Sequence, residues 1–385
     1  MKKLKFLILG LPLFLVACRP PIPDVEQAIQ GTDPTTIVVL NNDATDAYYR
    51  SALPFVSSPT RGLIYGSISN RADIAQVEMS LSRLATDFFD PDDYLIRDGQ
   101  YLTREFVLNV LRANNPEPTH TSESETGLNP AFGTEIEFRG ATFESNEDDV
   151  IRPLAYLLEQ NFVTVHDDDF HLEGVAIALA LNPYYREIDF TTAFDHHWRM
   201  SDEQIIEFGQ QTAAYLLPML RQQPGLETAP IMIGLFILRR DNEVLPGNFT
   251  SIAFAESGRT VLGSWQPVHE QHFNLPDNEI TRDDVNINDE FNFFSNAVRT
   301  YFPHQHSVVA RAKVVDHSLY RVDITFNMTF LGLSEKIAFH QLLEQEVMRF
   351  SPEYDIRIIV RSPDAQHGSV IRRPHSEPIV TRISW

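Results

Sequence analysis

A single cysteine, Cys18, stands in 385 residues. One thiol makes no intramolecular disulfide and no multi-cysteine zinc or iron-sulfur centre, so packing alone has to hold the fold. Lysine is nearly as scarce, with five (Lys2, Lys3, Lys5, Lys313 and Lys336) among 31 basic residues. Positive charge as a whole is short: 31 Lys and Arg face 53 Asp and Glu, a net charge of −22. That excludes a nucleic-acid binder working through a basic footprint, because counterion release needs a positive surface. Catalytic signatures are missing too. Without a GxSxG, Walker, GxGxxG or HExxH pattern, hydrolase, nucleotide, dinucleotide and zinc-peptidase chemistry have no foothold. The expectation is no enzyme, no catalytic residue, no cofactor and no metal.

What is present is ample apolar material, 43% of the chain with 26 Phe, enough for a substantial core. Arginine keeps its charge at alkaline pH and a dense carboxylate surface stays hydrated in salt, which suits a salty or alkaline exterior. The first residues, MKKLKFLILGLPLFLVA, combine three lysines with an apolar run too short for a comfortable membrane span, as in a secretory signal. The ending Leu15-Val16-Ala17-Cys18 resembles a bacterial lipobox, which predicts cleavage between Ala17 and Cys18 and acylation, palmitate included, of the one thiol. Buried acyl methylenes, at about 0.8 kcal/mol each, would anchor the chain in membrane lipid. Arg19-Pro20-Pro21-Ile22-Pro23 makes an extended tether. The expected divisions are a signal peptide over 1–17, a lipidated Cys and tether over 18–35, an N-terminal region with a first module over 36–257, and a second module over 258–385.

Periodicity predicts an α+β fold. Ile74, Val77, Leu81, Leu84 and Phe88 form a helical stripe, and a shorter helix runs from Thr103 to Arg112. The polar stretch from Asn114 to Asp149 reads as a solvated loop with a strand near Thr134 to Phe138. The first pass then expects a helix through Val150, Ile151, Leu154, Leu157 and Leu158, a strand from Phe162 to His166, a turn at Asp167-Asp168-Asp169 and a buried strand from Val175 to Leu181. A helix opened by the capping-box pattern Ser201-x-x-Gln204 follows, then strands at Ile231 to Arg239 and Thr250 to Ala255. The second pass has helix Asn286 to Tyr301, strands Ser307 to Val315 and Tyr320 to Phe330, helix Ser334 to Phe350, and strands Tyr354 to Arg361 and Ser369 to Arg373. Both read α-β-β-α-β-β, an internal duplication with its junction between Ser257 and Asp284.

Asp195-His196-His197-Trp198 and His304-Gln305-His306 lack the convergent spacing of a zinc site, and the acid triplet lacks the glycine and spaced ligands of a calcium loop. Tyr48-Tyr49-Arg50 and Tyr184-Tyr185-Arg186 pair aromatic rings with a guanidinium at chain turns. They predict a ligand groove shared by Tyr49, Arg50, Tyr184 and Tyr185 near the junction of the modules, with separate packing roles as the competing reading.

Ten segments in order carry a resemblance: YYRSALPF (Tyr48 to Phe55), TRGLI (Thr60 to Ile64), Asn70-Arg71, YLIRDGQYL (Tyr94 to Leu102), GLNP (Gly127 to Pro130), LLEQNFV (Leu157 to Val163), GVAIALALNPYY (Gly174 to Tyr185), LPGNF (Leu245 to Phe249), Gly263-Ser264-Trp265 and Tyr301-Phe302-Pro303. As a set they resemble the CamS family of bacterial sex pheromone precursor lipoproteins. The resemblance implies two repeats and a body on the extracytoplasmic face of the membrane. It also implies a short hydrophobic peptide, cut from the end of the signal sequence by signal peptidase and trimming proteases, that plasmid-bearing cells sense through a plasmid-encoded receptor as a cue for conjugation. By position that peptide is Leu11-Pro12-Leu13-Phe14-Leu15-Val16-Ala17, in which Pro12 departs from the family's pattern. The alternative is an envelope lipoprotein whose body binds a peptide, glycan or protein and has no pheromone role.

Overall fold

The computed structural model describes residues 37–39, 49–167, 169–189, 194–276, 287–303, 307–328, 330, 332–363 and 365–382. The leader with Leu11 to Ala17, Cys18 and the tether, together with Tyr48, Asp168 and His304 to His306, lie outside the described residues. Helix α1 (Arg71–Ala85) starts where the Asn70 side chain accepts the Ala72 amide at 2.9 Å, and buries Val77, Leu81 and Leu84. Strand β1 (Leu95–Asp98) and helix α2 (Arg104–Val110) follow, then the long hairpin of β2 (Leu154–His166) and β3 (Asp169–Leu181). Helix α3 (Asp202–Leu220) opens with the expected capping box: Ser201 Oγ accepts from Gln204 N at 3.2 Å and Gln204 Oε1 accepts from Ser201 N at 2.8 Å. Strands β4 (Ile231–Ile237), β5 (Asn248–Ala255) and β6 (Gln266–Pro267) complete a six-stranded sheet.

The second sheet begins at once with β7 (Glu270–Leu275), then helix α4 (Ile287–Tyr301), strands β8 (Ser307–Val315) and β9 (Ser318–Asn327), helix α5 (Leu333–Glu346), and strands β10 (Asp355–Arg361), β11 (Gln366–Arg372) and β12 (Ile379–Arg382). Both sheets are laid down in chain order, β1 to β6 and β7 to β12. In both, the third and fourth strands pair in parallel, β3 with β4 and β9 with β10, and the other neighbours are antiparallel. A parallel pair needs a crossover, and α3 and α5 supply it. The chain passes from one sheet to the other at Val268 and His269, inside the expected junction and past the expected break at 257.

The structure departs from expectation by a hairpin (Tyr184–Asp189 with Phe194–Arg199), by the strands β6, β7 and β12, and by a missing helix, so the first half does not read α-β-β-α-β-β. No helix spans 147–158; Leu154, Leu157 and Leu158 belong to β2, a strand of 13 residues buried over most of its length. A strand covered on both faces reads as a near-continuous apolar run, so i, i+3, i+4 matches arise without a helix. The covering is visible at two glycines. A Cβ on Gly174 would lie 2.0 Å from the Phe89 ring beyond α1, and one on Gly209 of α3 would lie 2.5 Å from Leu181. Residues 174 and 181 of β3 are an odd number apart and face opposite ways, so α1 and α3 cover opposite faces of the first sheet. The second sheet is covered differently. Phe326 of β9 meets Phe294 of α4 at 6.0 Å and Phe339 of α5 at 5.3 Å, so both helices lie on one face, and β9 alternates as expected.

Close packing at Gly174 sets an expected outcome. Gly174→Ala should lower stability by about 1–3 kcal/mol through overpacking, whereas Gly62→Ala, where an added Cβ meets nothing within 4 Å, should stay within about 0.5 kcal/mol of the parent. Urea unfolding of both variants measures the difference, and equal midpoints would contradict the tight contact between Phe89 and β3.

Candidate functional site

The expected groove residues are not brought together. Tyr49 is buried, its ring 4.9 Å from that of Phe162, and its hydroxyl donates to the Phe89 carbonyl at 2.6 Å. Arg50 donates to the Asp92 carbonyl at 3.0 Å. Tyr185 packs on Phe143 at 4.4 Å and hydrogen-bonds Asp149, while the Arg199 and Arg240 guanidiniums lie 5.8 and 5.5 Å from the Tyr184 ring. Tyr184 follows Leu181, which pairs with Leu154 at the start of β2; Phe162 lies eight residues further along that strand, about 27 Å at roughly 3.4 Å per residue. The two aromatic clusters line separate cavities, of about 260 Å³ for Tyr49 and about 560 Å³ for Tyr184 and Tyr185. His196 and His197 stand exposed on a hairpin strand (Phe194–Arg199), and among the described residues no group of three or more His, Cys, Asp or Glu is placed to hold a metal ion.

Several segments that carry the resemblance serve as internal clamps. Glu159 of β2 is buried and accepts the backbone amides of Gln100, Tyr101 and Leu102 at 2.9–3.2 Å, and Asn161 donates to it at 2.7 Å. Burial pushes its carboxyl up, against these hydrogen bonds. Gly99 is required there, because a Cβ would lie 2.5 Å from the Glu159 side chain. Asp73 at the start of α1 accepts from Gly247 N at 2.6 Å and Arg239 N at 2.8 Å, and burial raises its carboxyl to about 6. Asn129 accepts from Leu154 N and donates to the Leu111 and Leu154 carbonyls at 2.8–2.9 Å.

The densest concentration of charge away from solvent lies where α1 crosses the polar face of the second sheet. Glu270 of β7 is fully buried. It accepts from Arg83 Nε at 3.0 Å and from Ser80 Oγ at 3.0 Å, and Lys313 Nζ of β8 lies 3.2 Å away. Ser80 in turn accepts from Lys313 at 2.9 Å and from Gln76 at 2.7 Å. Burial alone would raise the Glu270 carboxyl, but Lys313 and Arg83 outweigh it and hold the group below the ordinary range. Burial pulls the Lys313 ammonium down to about 8, with Arg83 and Arg321 adding to the effect and Glu270 opposing it. His272 falls to about 3, through burial first and then Lys313. Two cavities open beside this seam, of about 140 and 260 Å³, both touching Met79, Lys313 and Arg321. Sequence reasoning passed over these residues because α1 and β8 are more than 200 positions apart; the available signal was Lys313, one of two lysines beyond the leader.

The seam separates two substitutions. Glu270→Gln leaves two buried cations without their carboxylate and should cost about 3–5 kcal/mol, whereas Lys313→Met leaves Glu270 paired with Arg83 and should be neutral or stabilising at pH 7. Folded Lys313 gives up its proton near pH 8, while the unfolded chain holds it to about 10.4. The folded state therefore binds fewer protons in that window, and the cost of the buried ammonium fades as pH rises through it. Any advantage of Lys313→Met should shrink between pH 8 and 10. Urea unfolding at pH 7 and pH 10 measures both, and equal losses for the two variants at pH 7 would overturn the assignment.

The chain matches the family described as CamS sex pheromone cAM373 precursor over residues 55–378. Its fold is similar to the crystal structure of a sex pheromone precursor from Lactobacillus salivarius subsp. salivarius, with a TM-score of 0.77 and 20% identity over 91% of this chain and 99% of that one. It is also similar to the C-terminal domain of the sex pheromone staph-cAM373 precursor from Staphylococcus aureus, with a TM-score of 0.68 and 22% identity over 83% of this chain and 99% of that one. No curated protein matches the chain. A mixed α+β architecture of two six-stranded sheets, together with a family match across most of the sequence, places this chain in the CamS family of sex pheromone precursors.

Proposed function

We propose that the chain is a membrane-anchored lipoprotein and the precursor of a hydrophobic signalling peptide. Cleavage before Cys18 leaves a lipidated N-terminus in the outer leaflet of the cell membrane, and Leu11 to Ala17 is trimmed from the discarded leader. The observation that carries the reading is the family match over 55–378; the position of the one cysteine, directly after an apolar leader that ends in Ala17, supports it. LPLFLVA is uncharged and ends in a small residue, so it can cross a membrane and fill an apolar receptor pocket. Pro12 stiffens it and limits trimming on that flank.

The body is the extracytoplasmic product of the same cleavage, with no catalytic role. Its two sheets, alike in strand order and in the position of the parallel pair, favour two copies of one hairpin-helix-hairpin unit. Among the described residues no helix is long and apolar enough to cross a membrane, and an anchor at Cys18 would hold the body to the surface through its N-terminal segment. Cys18→Ser should move the protein from the membrane fraction to the soluble fraction, and LPLFLVA should appear in culture medium by mass spectrometry and induce a transfer response in plasmid-bearing cells. A Cys18→Ser protein still fully membrane-bound would defeat the anchor, and a silent peptide across a panel of donor strains would defeat the signalling role.

A further inference from the structure

The polar face of the second sheet sets basic side chains directly beside one another. His272, Lys313 and Arg321 are in register across β7, β8 and β9, and Asp355 of β10 ends the row. Lys313 and Arg321 are like charges opposite each other on adjacent strands, which is unfavourable, and the acids nearby do not offset every cation; His272, held neutral by burial, adds no charge. Arg83 and Lys313 share the one carboxylate of Glu270. Asp355 is taken by Arg357 at 2.9 Å. Arg321 Nε lies 3.3 Å from Asp323 but is not aligned to donate to it, and Arg311 reaches the Val244 carbonyl at 3.5 Å. Across the cleft, Glu78 is held by Arg61. In a chain of net charge −22, this is a local excess of positive charge.

The cavity beside that excess is not purely ionic. Its wall includes Met79, Ile96 and the Tyr320 ring, and Gln160, 9% exposed, whose Oε1 has no hydrogen-bond partner among the described residues while its Nε2 donates to the Glu78 carbonyl at 3.0 Å. Cations on one side, apolar surface on another and a buried, unpaired amide acceptor are the complement of a peptide's last residue: a carboxylate, a side chain and a backbone N–H. The geometry points to the cleft between α1 and strands β8 to β10 as a binding site for the free C-terminus of an apolar peptide, with Lys313 and Arg321 receiving the carboxylate and Gln160 accepting the N–H. An inorganic phosphate would meet the cations but leave the apolar wall and Gln160 unused. A cavity of about 260 Å³ takes the terminal one or two residues and leaves the rest of a peptide outside. The proposal uses no residue of the leader, so it stands whether or not Leu11 to Ala17 acts as a signal.

Calorimetric titration of the purified full chain with three probes tests it: N-acetyl-Leu-Ala as the free acid, the same dipeptide as its C-terminal amide, and inorganic phosphate. The acid should bind, with the amide weaker by about tenfold or more, because a carboxylate between two cations makes charge-assisted hydrogen bonds that an amide does not. Lys313→Met and Arg321→Gln should each bring the acid down to the level of the amide. Failure of the acid to bind, equal affinities for acid and amide, or a phosphate affinity above that of the acid would each overturn the proposal. Should a variant lose its cooperative unfolding transition, the ratio of acid to amide in the parent decides alone.

Discussion

One buried carboxylate, Glu270, joins the two halves of the molecule. It sits on the first strand of the second sheet and is met by Ser80 and Arg83 from a helix of the first body and by Lys313 from the neighbouring strand. Taking such ions out of water costs several kcal/mol each, so the cluster adds little net stability and acts by making other dockings expensive. Helix α1 can serve both bodies because it carries two stripes. Val77, Leu81 and Leu84 fill the core of the first sheet, while Gln76, Ser80 and Arg83, each one position earlier, face the second. One residue is about 100° of helix rotation, which sets the angle between the two surfaces α1 joins.

The same device, a buried acid or amide gathering backbone groups, recurs at the long connections that a disulfide could otherwise staple. Glu159 fixes the loop after β1, Asp73 fixes the loop between β4 and β5, and Asn129 ties the segment after α2 to the start of β2. Each carries polar atoms into the interior and is satisfied there by amides that would otherwise lack partners. With one cysteine in the chain, these clamps take over the stapling of long connections. The segments that identify the family are therefore largely the ones that hold its architecture, and a binding surface has to be sought elsewhere.

That surface follows from an asymmetry of covering. The first sheet has helices on both faces, so its central strand β3 is apolar throughout its buried part. The second sheet has both helices on one face, so the other face keeps its charges and meets α1 across a cleft. An acidic surface surrounding a basic recess steers small anions inward only at short range, where the recess dominates the field.

How much of this was legible in the sequence depends on whether the signal is local. Helices α1, α3 and α4 show in their apolar period, the first two also in their caps, and the alternation of β9 shows because one of its faces is polar. The order of strands around α3 and α5 was readable for the same reason, but the α-β-β-α-β-β order expected of the first half was not met, because no helix spans 147–158. Strand β2 was not: buried on both faces, its Leu154, Leu157 and Leu158 fit a helix as well as a strand, and only pairing with β1 and β3 decides between them. Nor was the cleft. Ser80, Arg83, Glu270, Lys313 and Arg321 lie on four elements whose separations in sequence carry no period, and the expected meeting of Tyr49 with Tyr185 failed because the two sit at opposite ends of one long hairpin. Period and capping are set by neighbours within a few residues, so the chain alone determines them; which charges face one another is set by how sheets and helices stack, and only the tertiary structure decides that.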